Sequence, residues 1–441
     1  SDLSNTITRT VTAAELEAIS GFANDVILTF TAILTDNVGN VTTGSNSGTT
    51  ITVDQTSPSI TIASSTSGVT SGDTSNDGSI VLTFTTGEST TNFVKSDISV
   101  SGGTLGTLNG SGTSYNATLT PSGDATYTVN VAADALTDAA GNGNTVASQF
   151  SWTYDGTDPS AFTTGAVTSV GGTVVASYWN NTNTSLTVGV PIANDSTLTD
   201  GTLQLRVKVD SGSFVNLNSA YTIQSSDLSN TITRTVTAAE LEAISGFTNG
   251  VVLTFTTILT DNVGNLTTGT ASGTTISVDQ TSPSAFTTGA VASVGGTVVS
   301  NYWNSTNTSL EVIVPIANDS TLTGGKIQLQ VKVDSGSFVN LGSSYTIQGS
   351  DLDNNKTMSV SDGTLEAISG FANGVVLTLR SEISDVAGNK TTGSNSSTTI
   401  TVDQSRPSIA IASGTVTSLS LIHISEPTLS LIHISEPTRR S

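Results

Sequence analysis

Residues Thr35–Pro58 read TDNVGNVTTGSNSGTTITVDQTSP, and relatives of this stretch mark the end of every repeat in the chain. An Asp-x-x-Gly-Asn turn comes first, followed by an alternating segment, an Asp and a boundary proline. Tight turns that lead into period-two alternation are typical of β-strands. The four copies are Asp36–Asn40 with Asp54 and Pro58, Asp138–Asn142 with Asp155 and Pro159, Asp261–Asn265 with Asp279 and Pro283, and Asp385–Asn389 with Asp403 and Pro407.

The boundary prolines lie 101, 124 and 124 residues apart, so each repeat is long enough to be a whole domain. Residues 1–58 match 226–283 with eight differences, which makes the first segment part of a long module. We therefore expect these modules: the truncated C-terminal part of a long module (1–58), a short module (59–158), two long modules (159–282 and 283–406), and the start of a further one (407–417).

Residues 418–441 depart abruptly from this pattern. LSLIHISEPT stands at Leu419–Thr428 and again at Leu429–Thr438, and the two segments contain both histidines of the chain. The string resembles translated sequencing-adapter DNA, so we interpret it as an artefact without fold or function. The alternative interpretation is a pair of metal-binding histidines or a sorting tail.

Composition excludes several classes of partner. The formal net charge of -22 repels polyanions, which argues against nucleic acid and anionic membranes. No run of eighteen apolar residues exists, so membrane insertion is not expected. The chain has no Cys, and domains of about 100 residues can rely on core burial alone. These features favour a secreted or cell-surface protein without disulfides.

Strand patterns recur in every module. Leu203, Leu205, Val207 and Val209 alternate with polar residues, and an Asp-Ser-Gly-Ser turn at 210–213 predicts a hairpin. One helical turn is also expected: Thr237–Glu240 has the spacing of a capping box and predicts a turn through Ile244. Its counterpart Ser361–Thr364 lacks the Glu, which predicts a looser turn. The fold class predicted is all-β, with tandem antiparallel β-sandwich domains in an extended array.

The repeated phrase TDNVGN…TTITVDQTSP (Thr35–Pro58) and its relative TDAAGNGN…FSWTYDGTDP (Thr137–Pro159) resemble the bacterial immunoglobulin-like repeats of large adhesins and biofilm-associated proteins. The resemblance covers residues 1–417. It implies that each module is an immunoglobulin-like sandwich. It also implies an extracellular stalk whose neighbours are further repeats.

Catalysis is not expected in this chain. Residues 1–417 contain no His and no Cys, and the carboxylates are spread over near-duplicate repeats. The Asp-x-x-Gly-Asn turns have two interpretations, a tight structural turn or a calcium site made of hard oxygen ligands. The resemblance to adhesin repeats that bind calcium at domain junctions supports the second. The candidate ligands are Asp54, Asp155, Asp158, Asp279 and Asp403, with Asp36, Asp138, Asp261 and Asp385.

Two aromatic motifs, Tyr178-Trp179-Asn180 and Tyr302-Trp303-Asn304, are predicted to pack in the core, with a sugar-stacking platform as the alternative. The function expected is that of a non-catalytic spacer, or stalk, of a bacterial adhesin that projects a distal binding domain. Host or matrix glycan or protein would bind through domains outside this chain. The alternatives are a glycan- or protein-binding module and an accessory region of a secreted hydrolase.

Overall fold

A computed structural model describes residues 6–410; residues 411–417 of the expected further module and the adapter-like segment 418–441 lie outside the described residues. The structure divides into two compact units. The first runs to Pro283 and also contains Ser384–Lys390, and the second comprises Ser284–Ile383 and the described residues from Thr391 onward. No helix within residues 6–410 is long and apolar enough to span a membrane.

The N-terminal segment has little regular structure. A capped helix begins at Ala13 because the Thr12 hydroxyl accepts the amide hydrogen of Glu15. Two antiparallel pairs follow, β1 with β4 and β2 with β3. The elements are α1 (Ala13–Glu17), β1 (Ile27–Leu28), β2 (Ile33–Thr35), β3 (Val41–Thr43) and β4 (Ile51–Thr52).

The next part of the chain forms two four-stranded sheets, of order β5-β7-β10-β9 and β6-β12-β11-β8. Alternating residues on the inner faces build one hydrophobic core between Ile60 and Trp152. The strands are β5 (Ile60–Ser64), β6 (Thr74–Ser75), β7 (Ile80–Thr90), β8 (Ile98–Val100), β9 (Thr104–Leu105), β10 (Asn109–Thr120), β11 (Ala125–Val131) and β12 (Phe150–Tyr154).

A second core lies between Val167 and Val278. It is enclosed by one sheet of order β13-β15-β19 and another of order β14-β22-β20-β16-β17, in which β18 pairs with β16 and β21 with β20. The elements are β13 (Val167–Val170), β14 (Tyr178–Trp179), β15 (Ser185–Pro191), β16 (Thr202–Val209), β17 (Val215–Asn216), β18 (Tyr221–Thr222), β19 (Thr231–Thr237), α2 (Ala238–Glu242), β20 (Val252–Thr260), β21 (Leu266–Thr268) and β22 (Ile276–Val278).

The third core lies between Val291 and Val402, in the second unit. Its sheets have the orders β23-β25-β28 and β24-β31-β29-β26-β27. The elements are β23 (Val291–Val294), β24 (Tyr302–Trp303), β25 (Ser309–Pro315), β26 (Lys326–Val333), β27 (Val339–Thr346), β28 (Asn355–Ser361), α3 (Asp362–Glu366), β29 (Val376–Ser384), β30 (Lys390–Thr392) and β31 (Ile400–Val402).

The prediction of tandem all-β, immunoglobulin-like sandwiches is confirmed by these paired sheets. In β16 the predicted inward residues Leu203, Leu205 and Val207 are buried, whereas Val209 is only half-buried. The predicted hairpin is also present, because Val215 pairs with Val207.

Each of the three cores also contains one feature that strand alternation did not predict. The short strand near the start of each sandwich pairs in parallel with the last strand: β6 with β12, β14 with β22, and β24 with β31.

The capping-box prediction is confirmed, since Thr237 and Glu240 exchange hydrogen bonds at the start of α2. The helix ends at Glu242, and Ile244 lies beyond it. The looser turn expected at Ser361 is in line with its cap, which lacks the reciprocal hydrogen bond present at Thr237. The Ser361 hydroxyl accepts the amide hydrogen of Thr364, and α3 is five residues long, as is α2.

Candidate functional site at the module junctions

The Asp-x-x-Gly-Asn loops fold around their own carboxylate. In the loop Asp261–Asn265, Oδ1 of Asp261 accepts backbone hydrogen bonds from Val263 (3.0 Å), Gly264 (2.7 Å) and Asn265 (2.9 Å). The Asn265 side chain donates to Oδ2 of Asp261 at 2.9 Å. Gly264 has a φ of 105°, which favours glycine. These local contacts account for the turn.

The same loop recurs in the other copies with different exposure. Asp36 also accepts from the backbone and the side chain of Asn40, at 2.8 and 2.7 Å, but this loop is exposed. Asp138, Asp261 and Asp385 are buried at 8%, 4% and 3% exposure. Because the hydrogen bonds within the loop are alike, the burial must come from neighbouring parts of the chain.

That neighbour is the stretch directly after the last strand of the preceding module. The loop asparagine of one module donates its Nδ2 hydrogen to the backbone carbonyl of the Asp that ends the module before it. The donor–acceptor pairs are Asn142 with Asp54 (3.1 Å), Asn265 with Asp155 (3.0 Å) and Asn389 with Asp279 (2.9 Å). We call this contact the asparagine latch. It occurs three times within the first compact unit, because the loop Ser384–Lys390 belongs to that unit.

The Asp that accepts the latch is held in place by its own module. The amide of Asp155 donates to the carbonyl of Ser75 at 3.1 Å, and the amide of Asp279 donates to the carbonyl of Trp179 at 2.8 Å. Its side chain also closes a small turn, since Oδ1 of Asp279 accepts the amide hydrogen of Thr281 at 3.1 Å. The backbone of this Asp is therefore fixed by contacts within its own module.

Additional amide groups complete two of the junctions. Asn76 Nδ2 donates to Oδ1 of Asn265 at 3.2 Å. At the next latch, the amide of Asn181 donates to Oδ1 of Asn389 at 2.9 Å, and Asn180 Nδ2 donates to the carbonyl of Ala387 at 2.8 Å. Sequence reasoning missed these asparagines, although Asn180 and Asn181 directly follow the aromatic pair Tyr178-Trp179.

The first junction has carboxylates instead. Single oxygen atoms of Asp54, Glu88 and Asp138 all lie within 4.8 Å of one another. Burial opposes ionisation of Asp138, but hydrogen bonds from Asn142 and the loop backbone outweigh it, and the pKa of Asp138 is lowered. Desolvation and the neighbouring charges, Asp54 foremost, raise the pKa of Glu88. Sequence reasoning missed Glu88, which lies in β7 outside the repeated phrase.

The other predicted calcium ligands are distributed differently. Asp155 lies beside the loop of Asp261, and Asp279 lies beside the loop of Asp385, where burial raises the pKa of Asp385. The exposed candidates are Asp36, Asp158 and Asp403. Within residues 6–410, the trio at the first junction is the only group of three or more acidic, His or Cys ligands that lies close enough for one ion.

The alternative interpretation of the Trp motifs as sugar-stacking platforms is wrong. Trp179 and Trp303 are 0% exposed and belong to the hydrophobic cores, so their rings cannot stack on a sugar. Asn180 is also buried and serves the junction instead. Tyr302 keeps 44% of its surface exposed.

One family model agrees with the architecture of the sandwich that contains Trp152. A family model described as a bacterial Ig-like domain matches residues 54–154. No curated protein sequence matches the chain.

Two solved structures are similar in part. The chicken CNTN1 FN1–FN3 domains are 10% identical, cover 79% of this chain and 99% of their own, with a TM-score of 0.29. Titin domains A168–A170 are 8% identical, cover 75% of this chain and 95% of their own, with a TM-score of 0.27.

Proposed function

We propose that the chain is a non-catalytic spacer of a secreted or cell-surface bacterial adhesin, which projects a distal binding domain. The observation that supports this most directly is the asparagine latch, which recurs with the same donor and acceptor at three junctions. A contact repeated at these three junctions restricts how neighbouring modules can rotate. Restricted rotation is what a spacer needs and what a flexible linker lacks.

The parallel pairing of the early and last strands also suits a spacer. In the sandwich of β14 and β22, Tyr178 pairs with Ser277 and Trp179 pairs with Val278. A pull on the two ends of such a module acts along parallel neighbouring strands and loads their contacts together. Trp179, which belongs to this strand pair, is completely buried in the module core.

Small-angle scattering of the full chain tests the spacer. A compact globule of 441 residues would have a radius of gyration of about 22 Å. We expect a clearly larger radius, together with a cooperative unfolding transition. A radius near the compact value would contradict the spacer, and a large radius without cooperative unfolding would indicate a coil.

We also propose that calcium binds at the first junction. Calcium takes six to eight oxygen ligands at about 2.3–2.6 Å. Oxygen atoms within 4.8 Å of one another in Asp54, Glu88 and Asp138 can therefore reach a common ion, with further oxygens required to complete its shell. Desolvation by burial is the main cause of the raised pKa of Glu88, and the charges of Asp54 and Asp138 add to it; a cation would offset that second contribution. These residues would hold the ion, and its role would be to relieve the repulsion between the two modules.

Melting curves of the full chain in calcium and in chelator test the site. We expect calcium to raise the melting temperature of the parent protein and to have a much smaller effect on Glu88→Gln. Asp158→Asn is the matched control, because Asp158 is an exposed acid at the second junction. An equal response of the parent and Glu88→Gln would contradict the proposed ligand set.

A further inference from the structure

The latch asparagine of the sandwich with Trp152 has a different successor from the other two. Asn142 is followed by Gly143, whereas Leu follows Asn265 and Lys follows Asn389. The amide nitrogen of a residue can attack the side-chain Cγ of an asparagine directly before it. A glycine, which has no side chain, leaves this approach open and lets the backbone rotate into it. This pair is therefore the latch position at which the chain can react with itself.

The attacking atom, the amide nitrogen of Gly143, is not engaged. On one side of it, the amide of Asp138 donates to the carbonyl of Asn142 at 3.2 Å. On the other side, the amide of Asn144 donates to the carbonyl of Leu136 at 3.0 Å. Within the part of the chain that the structure describes, the Gly143 amide itself donates no hydrogen bond. No hydrogen bond to the protein has to be broken at this nitrogen before it attacks.

The same dipeptide is restrained at two other places. The asparagine–glycine pairs of the chain are 109–110, 142–143, 249–250 and 373–374. The amide of Gly250 donates to the carbonyl of Val278, and the amide of Gly374 donates to the carbonyl of Val402, both at 2.8 Å. Each of these hydrogen bonds must break before the nitrogen can attack the asparagine before it, so both pairs should react slowly.

Packing requires the glycine after Asn142. A Cβ on Gly143 would collide with Oδ1 of Asp134 and lie 3.2 Å from its Cα. The backbone of Asp134 is held in place, because its amide donates to the carbonyl of Asn144 at 3.0 Å. The reactive pair is therefore built into this loop by the contacts that close it.

We propose that Asn142 deamidates through Gly143 and that the reaction opens the latch to Asp54 permanently. The Gly143 nitrogen gives up its proton and bonds to Cγ of Asn142. The bond between Cγ and Nδ2 breaks, and Nδ2 takes up a proton and leaves as ammonia. Water then opens the cyclic imide at either carbonyl, which yields aspartate or isoaspartate at this position. No oxidant or reductant takes part.

The product cannot form the latch. In the asparagine form, Nδ2 of Asn142 donates to the carbonyl of Asp54 at 3.1 Å and to Oδ2 of Asp138 at 2.9 Å. A carboxylate has no hydrogen to donate, so both bonds are lost and two carboxylates meet. The added charge lies beside the group that Asp138 forms with Asp54 and Glu88, where it increases the repulsion. The reaction thus proceeds when the latch opens and prevents the latch from closing again.

Peptide mapping by mass spectrometry follows the reaction in the full chain, aged at mildly alkaline pH in chelator. We expect both aspartate and isoaspartate at the position of Asn142. Conversion of Asn249 should be at least about tenfold slower, because the Gly250 amide has a hydrogen bond to lose. Equal rates at Asn142 and Asn249, or no conversion of Asn142, would overturn the proposal.

Hydrogen exchange tests the consequence for the junction. The amides of Ala140 and Gly141 donate to Oδ1 of Asp138 at 2.9 and 2.7 Å. They should exchange at least about tenfold faster in the aged protein and in Asn142→Asp, which carries the carboxylate without ageing. Asn109→Asp is the matched control, because Asn109 is exposed and precedes a glycine outside the latches. It should change this exchange less than about twofold. Unchanged exchange in the converted protein would also overturn the proposal.

Discussion

Replacing Asn265 with Ala should uncouple the sandwich containing Trp152 from the sandwich containing Trp179. The side chain of Asn265 makes three hydrogen bonds, to the carbonyl of Asp155, to Oδ2 of Asp261 and from Nδ2 of Asn76. Asn265 is 8% exposed, so water cannot readily replace these partners. Two of the three bonds cross the junction, and the third closes the loop.

Asn265→Ala should lower the free energy of unfolding by about 3 kcal/mol. A hydrogen bond contributes about 1 kcal/mol, and a buried partner left unpaired costs about 1–3 kcal/mol. With a urea dependence of about 2 kcal/mol per molar, the unfolding midpoint should fall by about 1.5 M. The companion substitution Asn76→Ala removes only one of the three bonds. It should cost about 1 kcal/mol.

The three tryptophans make the measurement specific, since each core contains one and all are fully buried. Urea unfolding of variants that keep only Trp152 or only Trp179 reports each sandwich separately. Asn40→Ala is the matched control, because Asn40 makes the same bonds to Asp36 in an exposed loop. It should move neither transition.

The double variant, Asn76→Ala with Asn265→Ala, decides whether these two side chains interact across the junction. If Asn76 and Asn265 interact, the loss in the double variant is smaller than the sum of the single losses, since the same bond cannot be removed twice. Additivity within about 0.3–0.5 kcal/mol would refute the interaction between Asn76 and Asn265.

Two further predictions concern the other junctions. Gly388→Ala should lower the free energy of unfolding by about 2–4 kcal/mol, more than the roughly 1 kcal/mol expected for Gly141→Ala. The two glycines have similar φ angles, 95° at Gly388 and 98° at Gly141. A Cβ at Gly388 would lie 2.9 Å from Cγ2 of Val175, whereas a Cβ at Gly141 would meet no atom within 4 Å. Thermal denaturation of the two variants measures the difference in stability. At the first junction, the pKa of Glu88 is raised in the folded state above its ordinary value of 4.5. The contribution of Glu88 to stability is therefore complete below pH 4.5, and it is lost as the pH rises through the pKa of the folded state. In chelator, Glu88→Gln should therefore match the parent at low pH and exceed it at pH 7, and equal urea midpoints at pH 7 would contradict this.

Much of the fold follows from local patterns in the sequence. Period-two alternation identifies which residues of a strand share a face, as in Leu203, Leu205 and Val207. The capping box at Thr237 and Glu240 and the loop around Asp261 depend on groups a few residues apart. Interactions of this range can be predicted because the intervening backbone leaves few alternative partners.

The junction chemistry could not be predicted in this way. The repeated phrase places the acids in separate units, whereas the structure joins Asn142 to Asp54 of the preceding unit, 88 residues earlier. Glu88, the third member of the acidic trio, lies in a strand that carries no repeated motif. Nothing in a strand's own sequence specifies which residue of a neighbouring module will face it.

The amino-acid sequence by itself determined the repeated modules, the alternating strands and the self-closing Asp loops, because hydrophobic periodicity and short-range hydrogen bonds act within one segment. The tertiary structure alone decided which strands pair in parallel and which asparagine meets which aspartate. Those outcomes depend on how whole sheets pack, and therefore on contacts between residues that are distant along the chain.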